Sequence, residues 1–256
     1  MQPPPMPGAA PLPMATLFGP LLETARQTLL QEGFVETALP PEWAWRLPVS
    51  GAMTPELQSW AGMHPIRGTR WSAAHIRGPR TEILNLMIYP RDAKRVPVFA
   101  VEYISFGGRP RVAVVDLQPA AGLNAAPDLT AEVVAALNSR GADELRHALP
   151  GGGDLPEWAV PHFTPASLYS RPTSPDGAEI SLLAEAFRCY LDTWRVAFLP
   201  RDNGGPATAD ELGATHLTAY QQHHVEHTPG RPFLRKTYGE EWTERYLRDF
   251  MYRSGA

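Results

Sequence analysis

Glu102 is the single carboxylate in the apolar run Val96-Pro97-Val98-Phe99-Ala100-Val101-Glu102-Tyr103-Ile104. On a strand it shares a face with Val98 and Ala100. If that face is covered, the carboxyl is buried, and burial disfavours its ionised form. An acid held protonated near neutral pH is a natural proton donor. On an open face, Glu102 is an ordinary surface acid. Asn85 interrupts Ile83-Leu84-Asn85-Leu86-Met87-Ile88 in the same way, on a strand expected to pair with that of Glu102. Once buried it needs hydrogen-bond partners, which a neighbouring loop would supply as readily as a ligand. Trp71, Ala73, His75 and Arg77 alternate onto one face of the preceding strand, where a lone His is more often structural than catalytic. Arg111, in the following strand, suits a ligand carboxylate, although most arginines lie on the surface.

His223-His224-Val225-Glu226-His227 fits the H-x-x-E-H pattern of one metalloprotease class. On a helix, His223 and His227 share a face, as zinc ligands require. Only 29 residues follow His227, counted from 227 to 256, which leaves little room for a distant third ligand. The alternative is a polar helix surface, and the reading adopted for metal is none.

The elements that must hold these residues are legible in the pattern. Arg67 to Arg77 and Glu82 to Tyr89 flank Gly78-Pro79, a hairpin signal. Val96 to Phe106 and Pro110 to Leu117 flank Gly107-Gly108. Four strands joined by short turns make an antiparallel meander. Helices are expected over Ala15–Gln31, Leu129–His147 (with Asp128 as N-cap), Asp176–Phe198, Glu211–Glu226 and Pro232–Tyr252, the last broken at Gly239. Ala38 to Pro65 reads as proline-rich and irregular, and Phe163 to Arg171 as a fifth strand. One antiparallel sheet with helices on its faces is the simplest assembly. Met1 to Met14 holds six prolines and no charge, and is expected to be a flexible tail on a single domain over 15–256.

Composition narrows the function. The 256 residues are 43% apolar and 20% charged, with net charge −4, an ordinary globular balance. An acidic chain argues against nucleic acid as a partner, and no apolar run reaches the length of a membrane span. Cys189 is the sole cysteine, so the chain can hold neither an internal disulfide nor its own iron–sulfur cluster, and it reads as a cytoplasmic monomer. Neither G-x-G-x-x-G after a strand nor G-x-x-x-x-G-K-[ST] nor G-x-S-x-G occurs, which leaves nucleotide sites and α/β-hydrolase chemistry without support.

Four stretches, in order, resemble the ferredoxin-dependent bilin reductases. They are Ile83-Leu84-Asn85-Leu86-Met87-Ile88-Tyr89-Pro90, the Val96-to-Glu102 run with Val114-Val115-Asp116-Leu117-Gln118-Pro119, Leu155-Pro156-Glu157-Trp158 with Leu168-Tyr169-Ser170-Arg171-Pro172, and Tyr238-Gly239-Glu240-Glu241-Trp242 through Phe250-Met251-Tyr252. The resemblance implies a three-layer α/β/α sandwich with a central antiparallel sheet flanked by helices. It implies an enzyme with no bound cofactor that takes biliverdin or another linear tetrapyrrole between sheet and C-terminal helices. Electrons would come singly from an external reduced [2Fe–2S] ferredoxin, for which Arg231, Arg235 and Arg248 are candidate docking residues.

The same resemblance assigns Glu102 to a position usually Asp in the family, and Asn85 to one that is His in the phycocyanobilin-forming members. A further donor Glu aligns with Ala73, for which His75, two residues on, is a candidate substitute. The C-terminal helix Asp of several members aligns with Thr228, next to His227. Arg111 aligns with a propionate-contacting position. The candidate catalytic set is thus Glu102, Asn85, His75 and His227, and the candidate substrate-binding set is Arg111, Trp71, Thr228 and His224. The lost donors favour a single two-electron reduction over four-electron phycocyanobilin synthesis. The alternatives are a reductase of an open-chain chlorophyll catabolite and a non-enzymatic bilin carrier.

Overall fold

The strands of the meander are apolar on both faces, so both faces must be covered. In the computed structural model, which describes residues 16–173, 178–202 and 211–253, they are. The expected tail over Met1–Met14 lies outside the described residues. The sheet comprises β1 (Val35–Glu36), β2 (Trp45–Arg46), β3 (Glu56–Met63), β4 (Arg70–Arg77), β5 (Thr81–Tyr89), β6 (Val98–Phe106), β7 (Arg109–Gln118) and β8 (Leu168–Ser170). Its order is β1-β3-β4-β5-β6-β7-β8, with β2 also on β3, and every pairing is antiparallel.

Helices α1 (Gly19–Gln31), α3 (Pro127–Asn138), α4 (Ala142–Ala148) and α5 (Ala178–Thr193) close one face, with the short α2 (Pro41–Ala44) near the β3 edge. In α1, Leu21, Leu22, Ala25 and Leu29 recur at helical spacing and are buried in the same cluster as Leu84, Leu86, Phe99, Val101 and Val115. The other face carries α6 (Glu211–His227), α7 (Arg231–Tyr238), α8 (Glu240–Tyr246) and the π-helical turn Leu247–Met251. Tyr220, Tyr238, Tyr246 and Met251 pack there against Ala74, Met87, Val98 and Ala100. The result is the expected three-layer α/β/α sandwich, and Gly239 breaks the last helical stretch as anticipated.

Three expectations need correction. Ala38–Pro65 is not wholly irregular: β3 pairs with all eight residues of β4. The segment Leu129–His147 is expected to be one helix; it is two, because Gly141 takes φ +85° between them, and Asp128 lies in the first turn after the cap residue Ala126. The strand expected over Phe163–Arg171 is confined to Leu168–Ser170, since only these residues pair with Ala113–Val115.

Candidate active site

The register fixes the geometry. Asn85 lies directly opposite Glu102 on the β5–β6 ladder, Ala74 opposite Asn85, and Val114 opposite Glu102. All four project towards the C-terminal helices. Two adjoining cavities of about 270 and 250 Å³ lie between that face and the helices. Asn85, Glu102, Ile104, Thr228, Pro229 and Tyr252 line both, so the polar pair stands where the two lobes meet. Trp158, Phe163, Tyr169 and His224 wall the first lobe, and Phe233, Leu234 and Leu247 the second. An apolar, elongated cavity with a few convergent polar groups is the usual form of a small-molecule site.

Burial pushes the Glu102 carboxyl up to about 7, because no cation offsets its loss of water. Near neutral pH the group is therefore poised between acid and carboxylate. Asn85 Oδ1 is buried and accepts no hydrogen bond. The Tyr252 hydroxyl lies within reach of Glu102 and of the Thr228 and Asn85 side chains, and burial raises it to about 12, so it remains a neutral donor. On α6, the His224 Nδ1 donates to the Tyr220 carbonyl at 2.9 Å. Burial pulls its imidazole down to about 3, leaving it neutral with Nε2 as an acceptor.

The wall carrying Pro156, Trp158 and Phe163 is held to the sheet by Asp116. Its carboxylate accepts from the Leu117 N–H (2.8 Å), the Thr164 N–H (2.8 Å) and the Thr164 hydroxyl (2.6 Å). Burial nevertheless raises this group to about 7, against the downward pull of those donors.

Glu102, Asn85, Thr228 and His224 are thus brought together, and the other four candidates are not. His75 and Trp71 project from the opposite face of β4, into the cluster around α1 and α5. His75 Nε2 bonds the Glu82 carboxylate at 2.8 Å, and Glu82 also accepts from the Leu17 and Phe18 N–H groups. This network pins the start of α1 to the sheet and has no route to the cavity. His227 is exposed, with Nδ1 donating to the His223 carbonyl at 2.8 Å. Arg111 is exposed beside the irregularity at Ile104/Ser105 and lines neither lobe. The arginine on the cavity rim is Arg171, which follows β8 and stacks on Tyr169 at 5.8 Å.

Sequence reasoning missed Tyr252 and Arg171 as site residues, although both fall in stretches that carried the resemblance. The zinc pattern finds no site either. His223 Nε2 donates to the Trp158 carbonyl at 2.7 Å, and among the described residues no group of three His, Cys, Asp or Glu side chains could hold a metal. The docking candidates are occupied: Arg231 and Arg235 pair with Glu244, and Arg248 with Asp249. No helix among the described residues is long and apolar enough to cross a membrane.

Comparison with known proteins agrees with this architecture. The family model of ferredoxin-dependent bilin reductases matches residues 24–253. The phycoerythrobilin:ferredoxin oxidoreductase of Gloeobacter violaceus is 31% identical, over 93% of this chain and 95% of that protein. The enzyme of the same name from Synechococcus sp. (strain RCC307) is 30% identical, over 68% of this chain and 66% of its own. The crystal structure of tomato phytochromobilin synthase in complex with biliverdin superposes with a TM-score of 0.76, at 18% identity, over 92% of this chain and 82% of that one. The chain belongs to the ferredoxin-dependent bilin reductases. It is therefore an oxidoreductase that reduces bilins with electrons from ferredoxin.

Proposed function

We propose that this chain adds two electrons and two protons to a linear tetrapyrrole in one catalytic cycle, with biliverdin or a partly reduced bilin seated across both lobes. The observation that carries the reading is the Glu102 carboxyl, raised to about 7 and set opposite Asn85 where the lobes meet. Each electron arrives singly from reduced ferredoxin. The first gives a bilin radical, which takes a proton from Glu102. The second electron, with a proton from Glu102 once water has recharged it, completes the net addition of two hydrogens across one double bond or across the ends of a conjugated pair, which then keeps one double bond between them. A positioned acid of this kind contributes about 10²–10⁴-fold.

The other residues orient the bilin. Asn85 Oδ1, without a protein partner, accepts from a pyrrole or lactam N–H. The neutral His224 offers a second acceptor. Thr228 and Tyr252 supply hydroxyls next to Glu102, and Arg171 pairs with a propionate at the rim. The relatives' name favours phycoerythrobilin as the product.

The test is an anaerobic assay with reduced ferredoxin and a regenerating system, offering biliverdin, a partly reduced bilin and an open-chain chlorophyll catabolite in separate reactions. The expected result is conversion of a bilin to a product two hydrogens heavier, resolved by chromatography. A stable bilin complex without conversion would contradict the reading and leave a carrier. Conversion of the chlorophyll catabolite alone would contradict the substrate.

A further inference from the structure

A second cleft, of about 290 Å³, lies on the same face of the sheet, past the turn Leu247–Met251. That turn separates it from the bilin cavity: Leu247, Met251 and Tyr252 line the cavity, whereas Asp249, Phe250 and Arg253 line the cleft. The Ser72 and Tyr89 hydroxyls both donate to the Met251 carbonyl and fasten the turn to β4 and β5.

The charge in this cleft is unbalanced. Arg70, at the start of β4, is partly buried, and its described hydrogen bond is one to the Arg253 carbonyl at 3.4 Å. Among the described residues no carboxylate pairs with it. Arg253 adds a second positive charge, and burial together with that neighbour lowers the Arg70 guanidinium. The one acid on the wall, Asp249, is taken by Arg248 at 2.7 and 3.1 Å. Arg253 is exposed, but a guanidinium partly removed from water, as that of Arg70 is, calls for an anion and takes a carboxylate in a two-pronged fashion. Besides Thr37 and Ser72, the rest of the lining is apolar or aromatic, with Trp43, Tyr89 and Phe250.

We infer that this cleft binds a small organic carboxylate with an apolar body, independently of the bilin cavity, the carboxylate held by Arg70 and Arg253 and the body lying against Trp43 and Phe250. Binding does not depend on what occupies the space beside Glu102.

The test uses 4-phenylbutyrate, its neutral amide 4-phenylbutyramide and inorganic phosphate as probes, followed by calorimetry and tryptophan fluorescence. The expected result is saturable one-to-one binding of the carboxylate. Binding should be at least tenfold weaker for the amide, for phosphate and in Arg70→Met, and unchanged in Glu102→Gln. No saturable binding by folded protein, or equal binding of the amide, would overturn the inference. Equal competition by phosphate would show a bare anion site and overturn the organic ligand. Loss in Glu102→Gln would place the probe in the bilin cavity instead. A second measurement stands apart from binding. Met keeps the aliphatic stem and removes the charge, so the urea midpoint of unliganded Arg70→Met should match or exceed that of the parent. A lower midpoint would show that the guanidinium is already compensated.

Discussion

Asn85 and Glu102 are register partners across the β5–β6 ladder, and both point into the space beneath the C-terminal helices. Their neighbours on that face are small or apolar, with Ala74 beside Asn85 and Val114 beside Glu102. A one-residue slip of either strand would turn its polar group to the face covered by α1 and α5, among Leu22, Leu29 and Phe187. The packing that fixes the register therefore also fixes the site.

The raised Glu102 value ties stability to pH. The folded protein holds this proton up to about pH 7, whereas the reference value is 4.5. Its contribution is full below about 4.5 and is lost as pH rises to about 7, a change on the order of 3 kcal/mol. Glu102→Gln removes the titration. Urea unfolding at pH 5 and pH 8 should thus show the parent losing more stability than the variant across this interval, with Asp116 contributing equally to both. Turnover should fall above about pH 7, as the acid form is depleted. Parallel stability profiles would contradict a buried, unpaired carboxyl.

His75 and Glu82 act on the fold. Replacing His75 by Ala breaks a buried hydrogen bond and leaves Glu82 with only the α1 N–H groups. The expected loss is about 2–4 kcal/mol in urea unfolding. Turnover per folded molecule and the product should be unchanged. A changed product would return His75 to the proton chemistry.

Much of this arrangement is legible before any coordinates. Glycine-marked turns and alternating apolar residues define β4 to β7, and parity alone puts Glu102 with Val98 and Ala100. Parity on one strand does not say which face it shares with the next, however, and that is why His75 looked close to Asn85. The pairing of Ala74 with Asn85 decides it. Strand β3 is hard to read because Glu56-Leu57-Gln58-Ser59-Trp60-Ala61-Gly62-Met63 holds no β-branched residue and mixes polar and small residues with Leu57, Trp60 and Met63. Its polar positions are satisfied only in the tertiary structure, where Ser59 bonds the Tyr246 hydroxyl at 2.7 Å. Gly62 is required where it stands, since a Cβ there would collide with the Trp71 indole. Tyr252 reaches the cavity through the turn after α8, a path no local pattern encodes.

The two arginines can be told apart. Arg171 lines the cavity rim and Arg111 does not. Arg171→Gln should raise the KM for a bilin with free propionates about tenfold, with kcat within a factor of three, as expected for about 1.4 kcal/mol of binding lost equally from ground and transition states. Arg111→Gln should change neither. Bilin dimethyl ester should erase the difference between Arg171→Gln and the parent.

Tyr252→Phe removes one hydroxyl next to Glu102, Thr228 and Asn85 while keeping the ring. Losing a neutral hydrogen bond of about 0.5–1.5 kcal/mol predicts a fall of about 2–12-fold in kcat/KM. Near-UV circular dichroism should be unchanged. No change in kcat/KM would mean that the hydroxyl makes no contact with substrate.

The most direct test of the account is single-turnover reduction of bound bilin by Glu102→Gln, with bilin affinity measured on the same preparation. Gln keeps the size and hydrogen-bonding reach of Glu but has no proton to give. The account predicts bilin binding within a few-fold of the parent and reduction slowed by about 10²–10⁴-fold, with any one-electron-reduced bilin persisting. Reduction at the parental rate would contradict the assignment of Glu102 as the proton donor.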